Sequence, residues 1–149
     1  MSLQDGIMAA MKTAMKAKDQ TALTALRAVK SAILLANTES GAGGALTDEQ
    51  ELKILQKQVK QRKDSAAIFL EQGREDLATP ELAEAEVIGQ FLPEAMSEEE
   101  VETVVLKVIE TLGASGMKDM GKVMGIVSKE LSGKADGKTI SSIVKAKLA

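Results

Sequence analysis

Residues 119–138 read DMGKVMGIVSKELSGKADGK, a helical pattern that runs into a glycine-lysine turn and then into a second helix start. At about 100° per residue, one side of the first part carries only apolar side chains, namely Met120, Val123, Met124, Val127 and Leu131. An apolar stripe of this width is typical of a helix that packs on a core. The stretch therefore predicts an amphipathic helix that begins near Ser115 and is ended by Gly133.

The other side of this helix is basic, and two glycines lie between the two sides. Lys118, Lys122 and Lys129 project opposite the apolar stripe, and Gly121 and Gly125, here called the glycine edge, lie at the border. A glycine inside a helix costs about 1 kcal/mol relative to alanine, so the pair requires a reason. A bare edge lets another backbone come close. That neighbour is either another helix of the same protein, which the spacing alone favours, or the phosphate chain of a nucleic acid.

The composition of the whole chain favours helices. Of its 149 residues, 44% are hydrophobic, and Phe69 and Phe91 are the only aromatic ones. A core built from Leu, Ile, Val, Met and Ala suits helices better than sheets. The sequence contains no run of alternating apolar and polar residues and no Asn-Gly turn, which are the usual signals of strands and hairpins. The prediction is an all-α protein.

Capping signals place the other helices. Candidate caps or first helical residues stand before each apolar pattern, at Ser2, Asp19, Thr47, Pro80, Ser97 and Asp136. The helix that starts at Thr47 is expected to run to about Gln72. Residues 37–45 contain three glycines among Ser and Thr, which predicts a flexible loop. Leu82 and Leu112 are expected on buried helix faces.

A domain boundary is predicted at Pro93 to Met96. It separates a multihelical N-terminal domain, residues 1–95, from a small three-helix C-terminal domain, residues 96–149. Charge is divided within the second domain, because residues 97–112 carry five acids and one lysine, whereas residues 113–149 carry seven lysines and three acids. Ordinary solvated helix faces explain such a division, and so does a local basic surface in a chain of net charge -3.

No catalytic motif is complete. The segment Gly137 to Thr139 ends as a phosphate-binding loop would, but position 132 is Ser where that loop needs Gly, and no strand precedes it. Two Ser-x-x-Lys matches, starting at Ser115 and Ser142, lack the partner motifs of the hydrolases that use them. The chain has neither cysteine nor histidine, which removes thiol nucleophiles and the commonest metal ligand. The sequence predicts no catalytic residue, no metal site and no cofactor.

Several segments spread along the chain resemble the YqeY family over essentially the full length. They are Met11-Lys12-Thr13-Ala14-Met15-Lys16, Leu26-Arg27-Ala28-Val29-Lys30-Ser31, Gln61-Arg62-Lys63-Asp64-Ser65, Phe91-Leu92-Pro93, Met96-Ser97-Glu98-Glu99-Glu100 and Gly133-Lys134-Ala135-Asp136-Gly137. The last segment, with residues 119–125 before it, is also similar to the tail of the B subunit of the glutamyl/aspartyl-tRNA amidotransferase. That tail commonly has Asn-Pro where this chain has Asp136-Gly137.

The resemblance implies a two-part all-α protein with a link to tRNA, because the amidotransferase tail recognises the tRNA body. It implies no independent catalysis, since nothing in this chain resembles the catalytic parts of the amidotransferase. Backbone N–H groups at the start of the last helix are expected to donate to a phosphate. Together with the basic helix side, these considerations give the expected nucleic-acid-binding residues, Lys122, Lys129, Lys134, Lys138, Lys145, Gly121, Gly125 and Gly133.

Three functions stay open on the sequence. The first is a tRNA-binding accessory factor, and the second is a protein-interaction module that docks on an amidotransferase or an aminoacyl-tRNA synthetase. The third and weaker one is a component of a glutamine-dependent tRNA amidotransferase, which is a carbon–nitrogen ligase. No apolar run approaches membrane-spanning length and no signal peptide is visible, so the expected location is the cytoplasm and no membrane partner is expected.

Overall fold

The computed structural model describes residues 2–39 and 46–149, and in this part of the chain every regular element is a helix. The helices are α1 Leu3–Ala17, α2 Gln20–Glu39, α3 Asp48–Glu71, α4 Glu75–Gly89, α5 Glu98–Leu112, α6 Met120–Glu130 and α7 Gly137–Leu148, with a 3-10 turn at Met117–Asp119. The all-α prediction is confirmed. None of the described helices is long and apolar enough to cross a membrane.

The chain divides into two compact units, Met1–Leu92 and Pro93–Ala149. The first unit pairs α1 with α2 and α3 with α4, and α2 also packs on α3 and α4. Its core is aliphatic and consists of Ile7, Ala25, Leu26, Val29, Ile33, Leu55 and Ile88. That the chain consists of two domains, residues 1–95 and 96–149, stays a prediction.

Most of the predicted caps of the first unit are present. Ser2 and Thr47 each form a capping box, in which the cap hydroxyl accepts a backbone N–H and the residue three positions on reaches back. The Asp19 carboxylate accepts the Ala22 N–H at 3.1 Å. These contacts satisfy N–H groups that have no partner within the helix. Residues 37–39 of the predicted loop belong to α2 instead, and residues 40–45 lie outside the described residues.

The prediction that a helix begins at Pro80 is wrong, because α4 begins at Glu75. Gly73 has a left-handed φ of 70°, which ends α3 and turns the chain back at once. The Arg74 guanidinium donates to both carboxylate oxygens of Asp76 at 2.8 and 3.0 Å and lowers the pKa of that carboxyl. Pro80 therefore lies inside the helix, where its missing N–H removes one intrahelical hydrogen bond. Packing of α4 on α3 outweighs the local preference of proline for a first turn.

The second unit is a three-helix arrangement of α5, α6 and α7 in which each helix contacts the other two. Its core is made of Val101, Val105, Val108, Val123, Val127, Leu131, Ile140, Val144 and Leu148. The caps predicted at Ser97 and Asp136 are confirmed, since each side chain accepts the N–H three residues on. Leu82 in the first unit and Leu112 here remain 44% and 42% exposed, so their predicted burial is wrong.

Candidate nucleic-acid interface

The basic helix of the sequence prediction is shorter than expected. Residues from Ser115 do not continue into α6 directly, because Gly116 has a φ of 73° and the Asp119 carboxylate accepts the Ser115 N–H at 2.9 Å. This closes a separate turn, after which the 3-10 turn leads into α6. At the other end α6 stops at Glu130, and Gly133 adopts a left-handed φ of 78° in the following turn. The turn thus fixes where α6 ends and α7 begins.

The two sides of α6 are divided as the sequence predicts, except that Lys118 lies in the 3-10 turn before the helix and not on its basic side. Val123, Val127 and Leu131 are buried in the core, and the methionines of the stripe pack against it. Lys122 and Lys129 are exposed. Because they are seven residues apart, they project in nearly the same direction about 10 Å apart along the helix axis. We call the outward side of α6 that carries these two lysines the lysine face.

The glycine edge is open. Gly121 and Gly125 are exposed, and a Cβ atom placed on either of them would meet no described atom within 4 Å beyond its chain neighbours and the adjoining backbone of its own helix. Neither α5 nor α7, the other helices of the second unit, therefore packs against this edge. The helix-packing explanation, which the spacing alone favours, is not supported within the described chain. The space beside the lysine face is free for a group that approaches from outside.

The remaining predicted lysines lie elsewhere on the second unit. Lys134 is exposed in the turn after α6, and its carbonyl oxygen accepts the Met96 N–H at 2.9 Å. Lys138 and Lys145 are exposed on α7, again seven residues apart and therefore on one side of that helix. The structure thus places the lysines in three groups, one on α6, one in the turn and one on α7.

Lys138 differs from the lysines of α6 in its surroundings. It lines an open groove of about 430 Å³ between α5 and α7, together with the carboxylates of Glu98 and Glu102. Glu102 also forms an ion pair with Lys147, with 2.7 Å between its Oε1 and the lysine Nζ. Within residues 2–39 and 46–149, no ion pair is formed by any of the five lysines predicted to bind nucleic acid, Lys122, Lys129, Lys134, Lys138 and Lys145. The sequence pattern shows that α5 begins with acidic residues but not that two of them lie beside Lys138.

Gly133 has a structural role. It is buried and holds a φ that side chains rarely adopt, so it shapes the turn and offers no surface to a ligand. The first turn of α7 is occupied too, because the Asp136 carboxylate accepts the Thr139 N–H at 2.7 Å. A carboxylate at this position satisfies the helix start and places a negative charge where a phosphate was expected. The expectation that this helix start donates to a phosphate is therefore not supported.

Removing the charge of Asp136 tests this conclusion. Asp136→Asn keeps a side chain that caps a helix about as well as Asp, so stability is expected to change by less than about 1 kcal/mol. If a phosphate passes near α7, loss of the carboxylate should strengthen tRNA binding about two- to fivefold at low salt. A filter-binding titration measures the affinity and a thermal melt measures the stability. Weaker binding by the variant would contradict the expected repulsion.

Acidic side chains elsewhere in the second unit have a structural explanation. Glu98, Glu99 and Glu100 form the first turn of α5, where carboxylates interact favourably with the helix dipole. Across the described residues no group of three or more Asp or Glu side chains is arranged to hold a metal ion. The acidic start of α5 is thus accounted for by helix formation.

The chain matches one protein-family model over nearly its whole length. The model describes Yqey-like proteins and matches residues 4–148. Curated relatives also align with most of the chain. The chain is 31% identical over 131 residues to altered inheritance of mitochondria protein 41 of Pyrenophora tritici-repentis, covering 87% of this chain and 71% of that protein. It is 36% identical over 125 residues to the protein of the same name in Clavispora lusitaniae, covering 82% of this chain and 69% of the relative.

A shorter likeness is to part of a larger protein. Over 73 residues the chain is 40% identical to a subunit of the glutamyl-tRNA(Gln) amidotransferase of Thermococcus gammatolerans. This covers 46% of the present chain but only 12% of the amidotransferase polypeptide. The likeness supports the predicted relation to amidotransferase subunits. The predicted cytoplasmic location is contradicted by the fungal relatives, whose names place them in mitochondria.

Proposed function

Since the chain belongs to the YqeY-like protein family, we propose that it is an accessory factor that binds tRNA and performs no catalytic step of its own. Lysines on the second unit contact the phosphates of the tRNA. Binding of this kind recognises the shape and the backbone of folded RNA. The absence of Tyr, Trp and His leaves few side chains that stack on unpaired bases, which agrees with backbone recognition.

The observation that carries this proposal is the lysine face with its open glycine edge. Lys122 and Lys129 project from one side of α6, and none of the described acids forms an ion pair with either of them. Gly121 and Gly125 leave free space beside them. A phosphate chain that lies along this side approaches the helix backbone closely while both ammonium groups reach it. The 73-residue likeness to an amidotransferase subunit supports tRNA as the nucleic acid.

A second candidate function is supported by the same likeness. In this alternative the chain docks on an amidotransferase or an aminoacyl-tRNA synthetase and meets tRNA only through that partner. In a third and weaker alternative, the chain is a component of the amidotransferase itself. Neither alternative requires direct tRNA affinity, and this distinguishes both from the accessory factor.

A salt series tests the proposal. Filter binding of the purified full chain to total tRNA is expected to give an affinity that falls linearly with salt concentration on a log–log scale. Two phosphate contacts predict a slope of about -1.5 or steeper, because each contact releases bound counterions. Double-stranded RNA of mixed sequence is the control that shows whether binding depends on the folded shape of tRNA. If tRNA shows no salt-dependent binding, the accessory-factor proposal is wrong and the docking alternative replaces it.

A further inference from the structure

A small groove opens between α1 and α2 in the first unit, and we call it the α1–α2 groove. The described residues that line it are Gln4 and Ile7 of α1 and Lys30, Ile33, Leu34 and Asn37 of α2. The α2 residues stand at positions i, i+3, i+4 and i+7, so they lie on one side of that helix. The two α1 residues are three positions apart and are neighbours on their helix as well. The lining residues thus form one continuous surface.

The floor of the α1–α2 groove is aliphatic, and its volume is small. Ile7 and Ile33 belong to the core and are almost fully buried, whereas Leu34 beside them is 66% exposed. The groove has a volume of about 120 Å³. Sites for small molecules and cofactors usually enclose about 300–1,000 Å³, and an apolar cavity of about 150 Å³ holds one benzene ring. The groove therefore has room for one apolar side chain, but not for a nucleotide or a cofactor.

The rim of the α1–α2 groove is polar and positively charged. Lys30 is the only charged residue among the described residues that line it, and it forms no ion pair with any of the described acids. Arg27, a second exposed cation, is seven residues before Leu34 and lies on the same side of α2, about 10 Å away along the helix axis. Glu39 is the one acid of α2, and at nine residues from Lys30 it projects from the opposite side. This side of α2 thus favours an acidic partner.

A buried acid holds one wall of the groove in place. The Gln4 Nε2 donates to the Glu51 Oε2 at 3.3 Å, and Glu51, in the first turn of α3, is only 6% exposed. Its carboxylate is therefore shielded from solvent, and Glu51 does not line the groove. Because this bond already orders the Gln4 side chain, less conformational entropy is lost when a partner binds.

We propose that the α1–α2 groove is a docking site for an acidic segment of a partner protein, which inserts one aliphatic side chain into it. The inserted side chain packs on Ile7, Ile33 and Leu34, and an Asp or Glu beside it pairs with Lys30. Burial of the aliphatic group supplies affinity, and the charge pair orients the segment. A phosphate chain offers a charge to Lys30 but no aliphatic side chain to the floor. The proposal goes beyond tRNA binding, and it does not depend on the lysine face.

The experiment uses the full chain with labelled Ile and Leu methyl groups and a synthetic peptide in which one leucine lies between glutamates. We expect this acidic peptide to shift the methyl resonances of Ile7, Ile33 and Leu34. Leu35 is 60% exposed but projects from another side of α2, so it is the internal reference and should stay unshifted. A control peptide with serine in place of the leucine should bind about tenfold more weakly, because it buries no aliphatic side chain. A second control peptide, with lysine in place of the glutamates, should bind about fivefold more weakly or less tightly still.

Two variants with matched controls locate the contact. Leu34→Ser should weaken binding of the acidic peptide about fivefold, whereas Leu35→Ser removes a similarly exposed leucine outside the groove and should bind as the wild type does. Lys30→Gln should weaken binding about two- to fivefold and remove most of its salt dependence. Its control is Lys12→Gln, which removes an exposed cation of α1 that does not line the groove. A thermal melt shows that each variant is folded.

Four results would overturn the proposal. The first is the absence of methyl shifts with the acidic peptide. Equal losses in Leu34→Ser and Leu35→Ser would show that the peptide binds any exposed leucine, and equal binding of the lysine peptide would remove the role of Lys30. Groove shifts that appear on raising the protein concentration without peptide would identify a second copy of the chain as the occupant. Filter binding measures tRNA affinity separately, so failure of either proposal is distinguished from failure of the other.

Discussion

Replacing Lys122 and Lys129 together by alanine is expected to remove most of the salt-dependent tRNA binding. Both ammonium groups leave the same side of α6, so a phosphate chain along it loses two contacts. The slope of log affinity against log salt should become shallower by about 1.5, the value expected for two phosphate contacts, and the loss of affinity should be largest at low salt. Filter binding over a salt series measures both quantities. Because both side chains are exposed, stability should change by less than about 0.5 kcal/mol.

The matched control removes the same charge from the first unit. Lys53 and Lys57 are exposed on α3, and Lys53 already pairs with Glu49 at 3.1 Å. Lys53→Ala with Lys57→Ala should leave tRNA affinity nearly unchanged. Equal losses in the two double variants would mean that net charge alone governs binding. The lysine face would then have no special role.

Replacing Gly125 by leucine is expected to separate folding from binding. Leucine is a far better helix former than glycine, and its Cβ meets no described atom within 4 Å beyond its chain neighbours and the adjoining helix backbone. The free energy of unfolding should therefore rise by up to about 1 kcal/mol. The same side chain fills the space through which a phosphate chain would approach. Affinity for tRNA should therefore fall by about tenfold or more, which corresponds to about 1.4 kcal/mol. Thermal denaturation and filter binding on one preparation give both values.

Gly89→Leu is the control for this substitution. Gly89 is also a helical glycine at which an added Cβ meets no described atom within 4 Å beyond its chain neighbours and the adjoining helix backbone, but it lies in α4 of the first unit. It should gain or keep stability and bind tRNA as the wild type does. Normal binding by Gly125→Leu would show that the glycine edge is not part of the interface. A large loss of stability would show instead that something packs against it.

Local chemistry explains which parts of the fold the sequence predicts well. A helix cap joins a side chain to a backbone N–H only three residues away. The caps at Ser97 and Asp136 can therefore be predicted from the adjacent sequence alone. The buried stripe of α6, which includes Val123 and Val127, follows from spacing alone. The same reasoning gives the lysine face, because an exposed side of a helix is simply opposite its buried side. None of these features depends on a distant part of the chain.

The sequence predictions are wrong or incomplete where contacts between distant segments determine the structure. Pro80 has the sequence context of a helix start, but packing on α3 extends the helix upstream of it. Periodicity places Leu82 on the apolar side of its helix, but it does not show how far the neighbouring helices extend to cover that side. Leu82 is in fact exposed. The surroundings of Lys138 depend on α5 lying beside α7, which brings Glu98 and Glu102 into the same groove. That contact joins segments far apart in sequence, and no local pattern records it.

The pairing of neighbouring helices also governs how quickly the chain reaches its fold. In the first unit α1 pairs with α2 and α3 with α4, and in the second α5 contacts α6 and α6 contacts α7. Each of these contacts closes a short loop, which costs little chain entropy before the contact is made. Helical proteins rich in contacts between neighbouring helices typically fold within about microseconds to milliseconds. A newly made chain therefore exposes its aliphatic core segments only briefly, which limits the time available for aggregation.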